Sequence, residues 1–321
     1  MADRVRRCLL FVALLLAVTP ISPGAAQEKL QIVATTGMIA DAARQIGGDL
    51  VEVQGLMGPG VDPHSYRQTR TDILAMTKAD LVLWHGLYLE AQMEDFMKTL
   101  SSRRHVVAVA DGLPKDLLLS HDQYKDRYDP HVWMDPDLWS RVVVVVRDAL
   151  ISALPEGEAE FRANAERHLQ EIAALSDYSK KALATVPAGS RILVTAHDAF
   201  KYFGRAYGYE VLGIQGISTQ SEAGLSRIAE LVDVLVDRKI RAVFVESSVS
   251  DRNVRALAEG AASRGWQIEV GGQLFSDAMG RNCTYEGTYI GMIDHNVTTI
   301  TRALGGEAAG FGEQEEPLAC S

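Results

Sequence analysis

Two short motifs each place a histidine directly after an Asp-Pro pair, namely Asp62-Pro63-His64 and Asp129-Pro130-His131. Proline restricts the residue before it to extended conformations and removes one amide donor, so each histidine lies on a stiff, non-helical segment. A metal ligand needs such a segment, and the Asp two residues upstream can accept the ring N–H that the metal does not use. A single Asp-Pro pair would indicate only a turn. Two pairs, both followed by histidine, favour a metal site.

His197 and Asp277 extend the candidate set. His197 follows an apolar segment, and Asp277 follows a Gly271-Gly272 pair that is predicted to form a loop. Alone, His197 would be explained as a helix N-terminal residue with local hydrogen bonds, and Asp277 as a helix cap. Together with the first two histidines they supply three imidazoles and one carboxylate. These donors suit a borderline divalent transition metal, whereas calcium and magnesium prefer oxygen ligands alone.

The elements around these residues alternate between strand-like and helix-like segments in both halves of the chain. This pattern predicts an α/β fold with two lobes, each with a mostly parallel sheet flanked by helices. Ligands of open parallel sheets bind beyond the carboxyl ends of the strands, and two candidate residues fall there in each half. The sequence therefore predicts a site in a cleft between the lobes, with Trp133 and Trp139 packed at the lobe interface.

One long helix is predicted to join the lobes. From Glu158 to about Thr185 the chain has no Gly or Pro, and apolar residues recur at steps of three or four. Such a helix would be on the order of 40 Å long. The predicted boundaries are 27–157 for the N-terminal lobe, 158–187 for the linking helix and 188–321 for the C-terminal lobe. His168, within the helix, is predicted to be solvated.

The first 26 residues are typical of a secretory signal. Three arginines precede an apolar run from Leu9 to Val18, and small residues end at Ala26, where cleavage is predicted. The run is about half the roughly 20 residues that a membrane-spanning helix requires. A soluble, monomeric protein of the Gram-negative periplasm is therefore predicted. The formal net charge of −10 argues against nucleic acid as a partner and favours cationic ligands.

Two cysteines, Cys283 and Cys320, follow the predicted signal. In an oxidising compartment they are predicted to form a disulfide that ties the C-terminal tail to the loop after Asp277. A thiolate metal ligand is the weaker alternative, because a single cysteine lacks the paired spacing of a zinc–sulfur site.

Five sequence blocks resemble the zinc and manganese solute-binding proteins of ABC importers, in particular their TroA-like branch. The blocks are 58–64 (GPGVDPH), 129–133 (DPHVW), 195–200 (TAHDAF), 244–248 (FVESS) and 274–280 (LFSDAMG). The resemblance implies that His64, His131, His197 and Asp277 bind one Zn²⁺ or Mn²⁺ ion as cargo. It also implies a binding protein and not an enzyme, an ABC permease with a cytoplasmic ATPase as partner, and a rigid linking helix that limits lobe movement.

The sequence departs from the family pattern at two places that bear on the metal. Dedicated manganese members carry Glu where this chain has His197, and zinc members often carry a histidine-rich loop that the segment 115–129 lacks. His121, the single histidine of the polar loop between Asp111 and Asp129, is predicted to lie on ordinary surface, while His85 and His295 are predicted to be structural. Which metal is bound is left open.

Glu246 ends a predicted strand, where two roles are open: it can support a metal ligand from behind, or it can brace the loop.

At the level of function, a secreted zinc metallohydrolase is the alternative, because three histidines with an open coordination position are also a catalytic pattern. The sequence contains no His-Glu-x-x-His motif, which argues against that alternative. A binding protein for an organic solute would instead require aromatic and arginine anchors in these blocks.

Overall fold

The computed structural model describes residues 28–121 and 126–312. The predicted signal peptide, 1–26, and Cys320 lie outside this part of the chain. In the N-terminal half, four strands pair in parallel in the order β2-β1-β3-β4. They are β1 (Leu30–Ala34), β2 (Val51–Gly55), β3 (Leu81–Trp84) and β4 (Val106–Ala108). Helices α1 (Gly37–Gly47), α2 (Arg70–Lys78), α3 (Glu94–Ser101) and α4 (Pro136–Ala153) flank this sheet.

Local sequence explains where these elements begin. All four residues of β3 are buried, as expected for a parallel strand covered by helices on both faces. Helix α2 begins with a capping box, in which Thr69 Oγ1 accepts the Asp72 amide at 3.2 Å and Asp72 Oδ2 accepts the Thr69 amide at 2.7 Å. Helix α4 begins with proline at its first position after the cap Asp135, where proline loses no helical hydrogen bond.

The second half contains two parallel strand pairs. One consists of β5 (Ile192–Thr195) and β6 (Glu210–Gly213), the other of β7 (Ala242–Glu246) and β8 (Glu269–Leu274), and β5 lies beside β7. The helices are α6 (Lys201–Tyr207), α7 (Leu225–Asp237), α8 (Arg252–Ser263) and α9 (Tyr289–Ala303). The predicted α/β class with parallel sheets flanked by helices is confirmed. Within the described residues, no helix is both long and apolar enough to cross a membrane.

The predicted loop at Gly271 and Gly272 is wrong, because β8 continues through both glycines to Leu274. The pairing with β7 shifts register between Val243 and Val245, which marks a bulge. A Cβ atom added at Gly271 would lie 2.8 Å from the Phe244 ring. These glycines therefore serve close packing inside a strand and not a turn.

The linking helix is observed as α5 (Glu158–Ala184), of 27 residues. It packs against α1 and α4 of the N-terminal half and against α9 of the C-terminal half. The prediction that His168 is solvated is wrong, since only 2% of it is exposed. Its Nδ1 lies 3.3 Å from Glu171 Oε2. His168 shares the buried face of the helix with residues three positions before it and four after it, a spacing that defines one helical stripe.

A continuous apolar core joins the two halves, and Trp139 of α4 lies within it, fully buried. Its indole stacks on the Tyr289 ring of α9, with a centroid separation of 5.4 Å and an interplanar angle of 23°. Trp133 also crosses the interface, because its Nε1 donates to the Ser276 carbonyl at 2.8 Å. Both tryptophans therefore pack where the sequence predicted.

Replacing Trp139 with Ala should lower the free energy of unfolding by about 3–5 kcal/mol, the usual cost of removing a fully buried large aromatic side chain. Urea denaturation of the metal-free protein measures this, so that metal binding does not contribute. Trp139→Phe, which keeps a stacked ring, should cost less. A loss below about 1 kcal/mol for the Ala variant would contradict the role given to this contact.

Candidate metal centre

The four residues predicted as metal ligands converge on one point between the lobes. His64 follows β2, His131 precedes α4, His197 follows β5 and Asp277 follows β8. The four candidate ligand atoms lie within 4.8 Å of one another, and all four residues are buried. We call this group the cage. Each residue lies in a loop near a strand's carboxyl end or before a helix, as the sequence predicted for a cleft site.

The carboxylate of Asp277 lies among the three imidazoles. Its Oδ2 is 3.3 Å from His197 Nε2, and its Oδ1 is 3.4 Å from His131 Nε2 and 4.0 Å from His64 Nε2. The Nε2 atoms of His64 and His131 are 3.3 Å apart. Both carboxylate oxygens and three ring nitrogens therefore face one small volume.

Two of the rings are oriented by a carboxylate behind them. His131 Nδ1 donates to Asp129 Oδ1 at 2.7 Å, and the same oxygen accepts the His131 amide at 3.0 Å. His197 Nδ1 donates to Glu246 Oε2 at 2.5 Å, while Glu246 Oε1 accepts the His197 amide at 2.9 Å. Because Nδ1 carries the hydrogen, Nε2 of the neutral ring turns its lone pair into the cage.

Asp62 contacts His64 differently from the way Asp129 contacts His131. Its Oδ1 accepts the backbone amide of His64 at 2.9 Å and does not bind the ring. Its Oδ2 accepts the Ser65 hydroxyl at 2.8 Å and the Thr219 hydroxyl at 2.6 Å. Asp62 thus shapes the loop that carries His64, and it connects that loop to the other lobe.

The atoms that line the cage are chemically suited to bind a cation. Within the described chain, Asp277 Oδ1 and His197 Nε2 are buried without a hydrogen bond of acceptable geometry. Leaving a buried polar atom unpaired costs about 1–3 kcal/mol. A divalent cation among these atoms would satisfy both, together with the Nε2 atoms of the other two histidines.

Charge in the cage is set by a balance between burial and neighbouring carboxylates. Burial alone would lower the pKa of His131, but Asp129 and Asp277 outweigh it and raise that pKa to about 9. For His197, Asp277 and Glu246 likewise outweigh burial and hold the pKa well above 6.5. Burial lowers the pKa of His64 to about 3, because the attraction of Asp277 does not compensate. The surrounding imidazoles overcome the effect of burial on Asp277 and hold its pKa well below 3.8.

Several residues that brace the cage were not predicted from the sequence. Ser248 Oγ donates to Asp277 Oδ2 at 3.2 Å, and the Tyr202 hydroxyl donates to the Asp129 carbonyl at 2.8 Å. Ser248 lies two residues after Glu246 in one of the five blocks, so its position at the same strand end was available as a signal. Tyr202 comes from the opposite lobe and gives no local signal.

The remaining histidines near these elements lie outside the cage. His85 Nε2 contacts the Pro130 carbonyl at 2.7 Å and so braces the His131 segment, while His295 Nε2 contacts the Gln273 carbonyl at 2.8 Å. Contrary to its predicted place on ordinary surface, His121 is partly buried and lines a cavity of about 80 Å³ beside His64. Tyr88 and Gln220 line the same cavity.

Replacing Asp129 with Asn should weaken metal binding by about 10–100-fold, the usual cost of losing the partner that orients a ligating histidine. Competition with a chelator of known affinity measures the change. Asp116→Asn, which removes the same charge from an exposed position on the same segment, is the matched control. Equal affinities for the two variants would show that Asp129 does not support His131.

Comparison with known proteins agrees with the fold. A family described as the periplasmic zinc-uptake complex component A, ZnuA, matches residues 32–303. The manganese-binding lipoprotein MntA of Bacillus subtilis (strain 168) is 47% identical over 279 residues, which cover 87% of this chain and 91% of that protein. The zinc-binding protein TroA of Treponema pallidum (strain Nichols) is 43% identical over 305 residues, 94% of this chain and 98% of that one.

The solved structure of periplasmic zinc-binding TroA from Treponema pallidum superposes with a TM-score of 0.84 at 45% identity, covering 86% of this chain and 99% of that chain. A two-lobed α/β fold with such a cage defines the class of metal-binding solute-binding proteins of ABC transporters. Within that class, the chain belongs to the ZnuA family, which also confirms the resemblance seen in the five sequence blocks.

Proposed function

We propose that the protein is exported, captures one Zn²⁺ or Mn²⁺ ion in the cage and delivers it to an ABC permease with a cytoplasmic ATPase. His64, His131, His197 and Asp277 are the ligands, and the ion is cargo. The observation that carries this proposal is the convergence of four buried donor groups, two of which contain an atom without a hydrogen-bond partner in the described chain. The ABC permease is proposed as the partner because the chain belongs to a family of transport proteins.

Binding without bond-making is the better account of this site. A metallohydrolase needs a general base beside the metal-bound water. The two carboxylates outside the cage that bind its rings, Asp129 and Glu246, each accept a ring N–H on the side of the imidazole that faces away from the cage. The family gives no support to the hydrolase alternative. Zinc-dependent hydrolytic turnover that disappears in Asp277→Ala would restore it.

The metal is proposed from the donors and from the relatives. TroA is named for zinc and MntA for manganese, and both are more than 40% identical to this chain. Three nitrogens favour zinc by the Irving–Williams order, while the two inward-facing oxygens of Asp277 offer a fifth donor that manganese accepts. Metal analysis of protein taken from its native compartment, without added metal, decides between them.

Metal stoichiometry tests the proposal directly. Metal-stripped protein is mixed with a slight excess of Zn²⁺ or Mn²⁺, passed through a desalting column and analysed for metal by mass spectrometry. One ion per chain is expected, with near-complete loss in His64→Ala. His295→Ala, which removes a histidine outside the cage, should keep one ion. A wild-type protein that retains no metal would refute the function.

Export, oligomeric state and the disulfide belong to the same proposal. Relatives include periplasmic proteins and lipoproteins, and the mature chain is proposed to begin at Gln27, to reside in a Gram-negative periplasm and to be monomeric. N-terminal sequencing tests the start at Gln27, and light scattering tests the monomeric state.

Cys283 is proposed to pair with Cys320, and two titratable thiols in the non-reduced mature protein would refute that pairing.

A further inference from the structure

Side chains of the opposite lobe hold part of the loop 58–66, which we call the His64 loop. Thr219 Oγ1 donates to Asp62 Oδ2 at 2.6 Å, and Gln220 Nε2 donates to the His64 carbonyl at 2.5 Å. Both donors belong to the segment between β6 and α7 of the C-terminal half. On its other side, Gly60 approaches the Ser247 carbonyl so closely that an added Cβ atom would lie 3.3 Å from that oxygen.

The other three cage residues have support for their side chains within their own half. The rings of His131 and His197 are held by Asp129 and Glu246, and the Asp277 carboxylate accepts the Ser248 hydroxyl. In the described chain, no carboxylate outside the cage is within ion-pair distance of the His64 ring. Within the described residues, the His64 ring therefore has no such carboxylate support, and two of the hydrogen bonds that hold its loop cross the cleft.

His64 is also the cage residue closest to solvent. Its side chain is 4% exposed, whereas the side chains of the other three are fully buried. It lines the cavity of about 80 Å³ beside the cage, and Gln220 lines that cavity with it. Of the four ligands, His64 can therefore leave with the least rearrangement.

We propose that Thr219 and Gln220 form a latch across the cleft, positioning residues that hold His64 in the cage and thereby set the rate of metal dissociation. This inference rests on the proposed function. When the two latch bonds break, the His64 loop moves away from the C-terminal half. The ion then keeps the other three ligands and gains an open side toward the cavity, from which it leaves.

The latch is tested by stopped-flow release of Zn²⁺ from the loaded protein into excess chelator. Thr219→Val keeps the shape of threonine but cannot donate, and it should raise the dissociation rate constant about tenfold, the effect of losing one hydrogen bond to a charged group. Thr219→Ser restores the hydroxyl and should dissociate at the wild-type rate. Gln220→Met should also accelerate release, and the association rate constant should change by less than about twofold in each variant.

Ser221→Ala, in the same segment, is the matched control and should release zinc at the wild-type rate. Unchanged release in both Thr219→Val and Gln220→Met would overturn the latch while leaving the metal site intact. A wild-type protein that binds no zinc would instead overturn the proposed function. Equal acceleration by Thr219→Val, Thr219→Ser and Ser221→Ala, with a lower unfolding temperature of the metal-free protein, would also overturn the latch, because it indicates general loosening of the segment.

Discussion

Metal affinity should fall by more than about tenfold for each unit that the pH is lowered between about 8 and 6, because more than one proton competes with each ion. In the metal-free protein, the carboxylates raise the pKa of His131 to about 9 and hold that of His197 well above 6.5. The His131 ring is therefore protonated at neutral pH, and the pKa of His197 is shifted in the same direction. Metal binds only their neutral forms, so binding strengthens as the pH rises toward 9 and weakens as it falls.

Two measurements check this proton linkage. Chelator competition at several pH values gives the slope of log affinity against pH, and calorimetry in buffers of different ionisation enthalpy gives the number of protons released. Glu246→Gln removes one of the two carboxylates that raise the pKa of His197, so it should reduce the number of protons released at neutral pH. A slope near zero between pH 6 and 8 would show that the rings are already neutral.

Asp277→Ala should lower the affinity by at least about 150-fold. Four-ligand zinc sites bind with on the order of 12 kcal/mol, so one average ligand contributes about 3 kcal/mol. Asp277 should exceed that average, because it is the only carboxylate of the cage and lies within 3.3–4.0 Å of all three Nε2 atoms. Chelator competition with zinc and with manganese measures the loss for each metal.

A second variant separates charge from shape at this position. Asp277→Asn keeps the size of the side chain and one carbonyl oxygen but removes the charge, so it should lose most of the affinity that the Ala variant loses. Asp294→Asn is the matched control, since Asp294 is buried in α9 and its carboxylate accepts the Tyr285 hydroxyl and not a cage residue. Wild-type affinity in Asp277→Ala would remove Asp277 from the ligand set.

The sequence predicted the fold class and all four cage residues, for different physical reasons. His64 and His131 carry a local signal, because a proline before each fixes the backbone. His197 and Asp277 carry a weaker local signal, and their prediction depended on their positions after predicted strands and on the family resemblance. Sequence spacing cannot give the distances among the four, since loops from both halves must meet before any of those contacts exists.

The predictions that the structure contradicts failed for equally specific reasons. Leu169 fits the apolar spacing of three or four residues in the linking helix, whereas His168 beside it is the more deeply buried residue. The Gly271-Gly272 pair predicts a loop because glycine's two uses, turning the chain and allowing close packing, look alike in sequence. Asp62 and Asp129 occur in identical tripeptides but make different contacts.

The difference between those two aspartates arises from tertiary structure. Asp129 turns toward its own histidine ring, while one oxygen of Asp62 is drawn toward Thr219 of the other half. No local pattern contains that information, because Thr219 is 157 residues away. For the same reason the latch could not be predicted from the sequence.

Helix α5 has a consequence for how a membrane partner distinguishes full from empty molecules. Because it is one continuous rod packed against both halves, the outline of the protein should change little when the cargo leaves. A receptor that recognises that outline would meet empty molecules almost as readily as full ones. Surplus empty copies should then occupy receptors unproductively, so import would peak at an intermediate abundance of this protein and decline when it is overproduced.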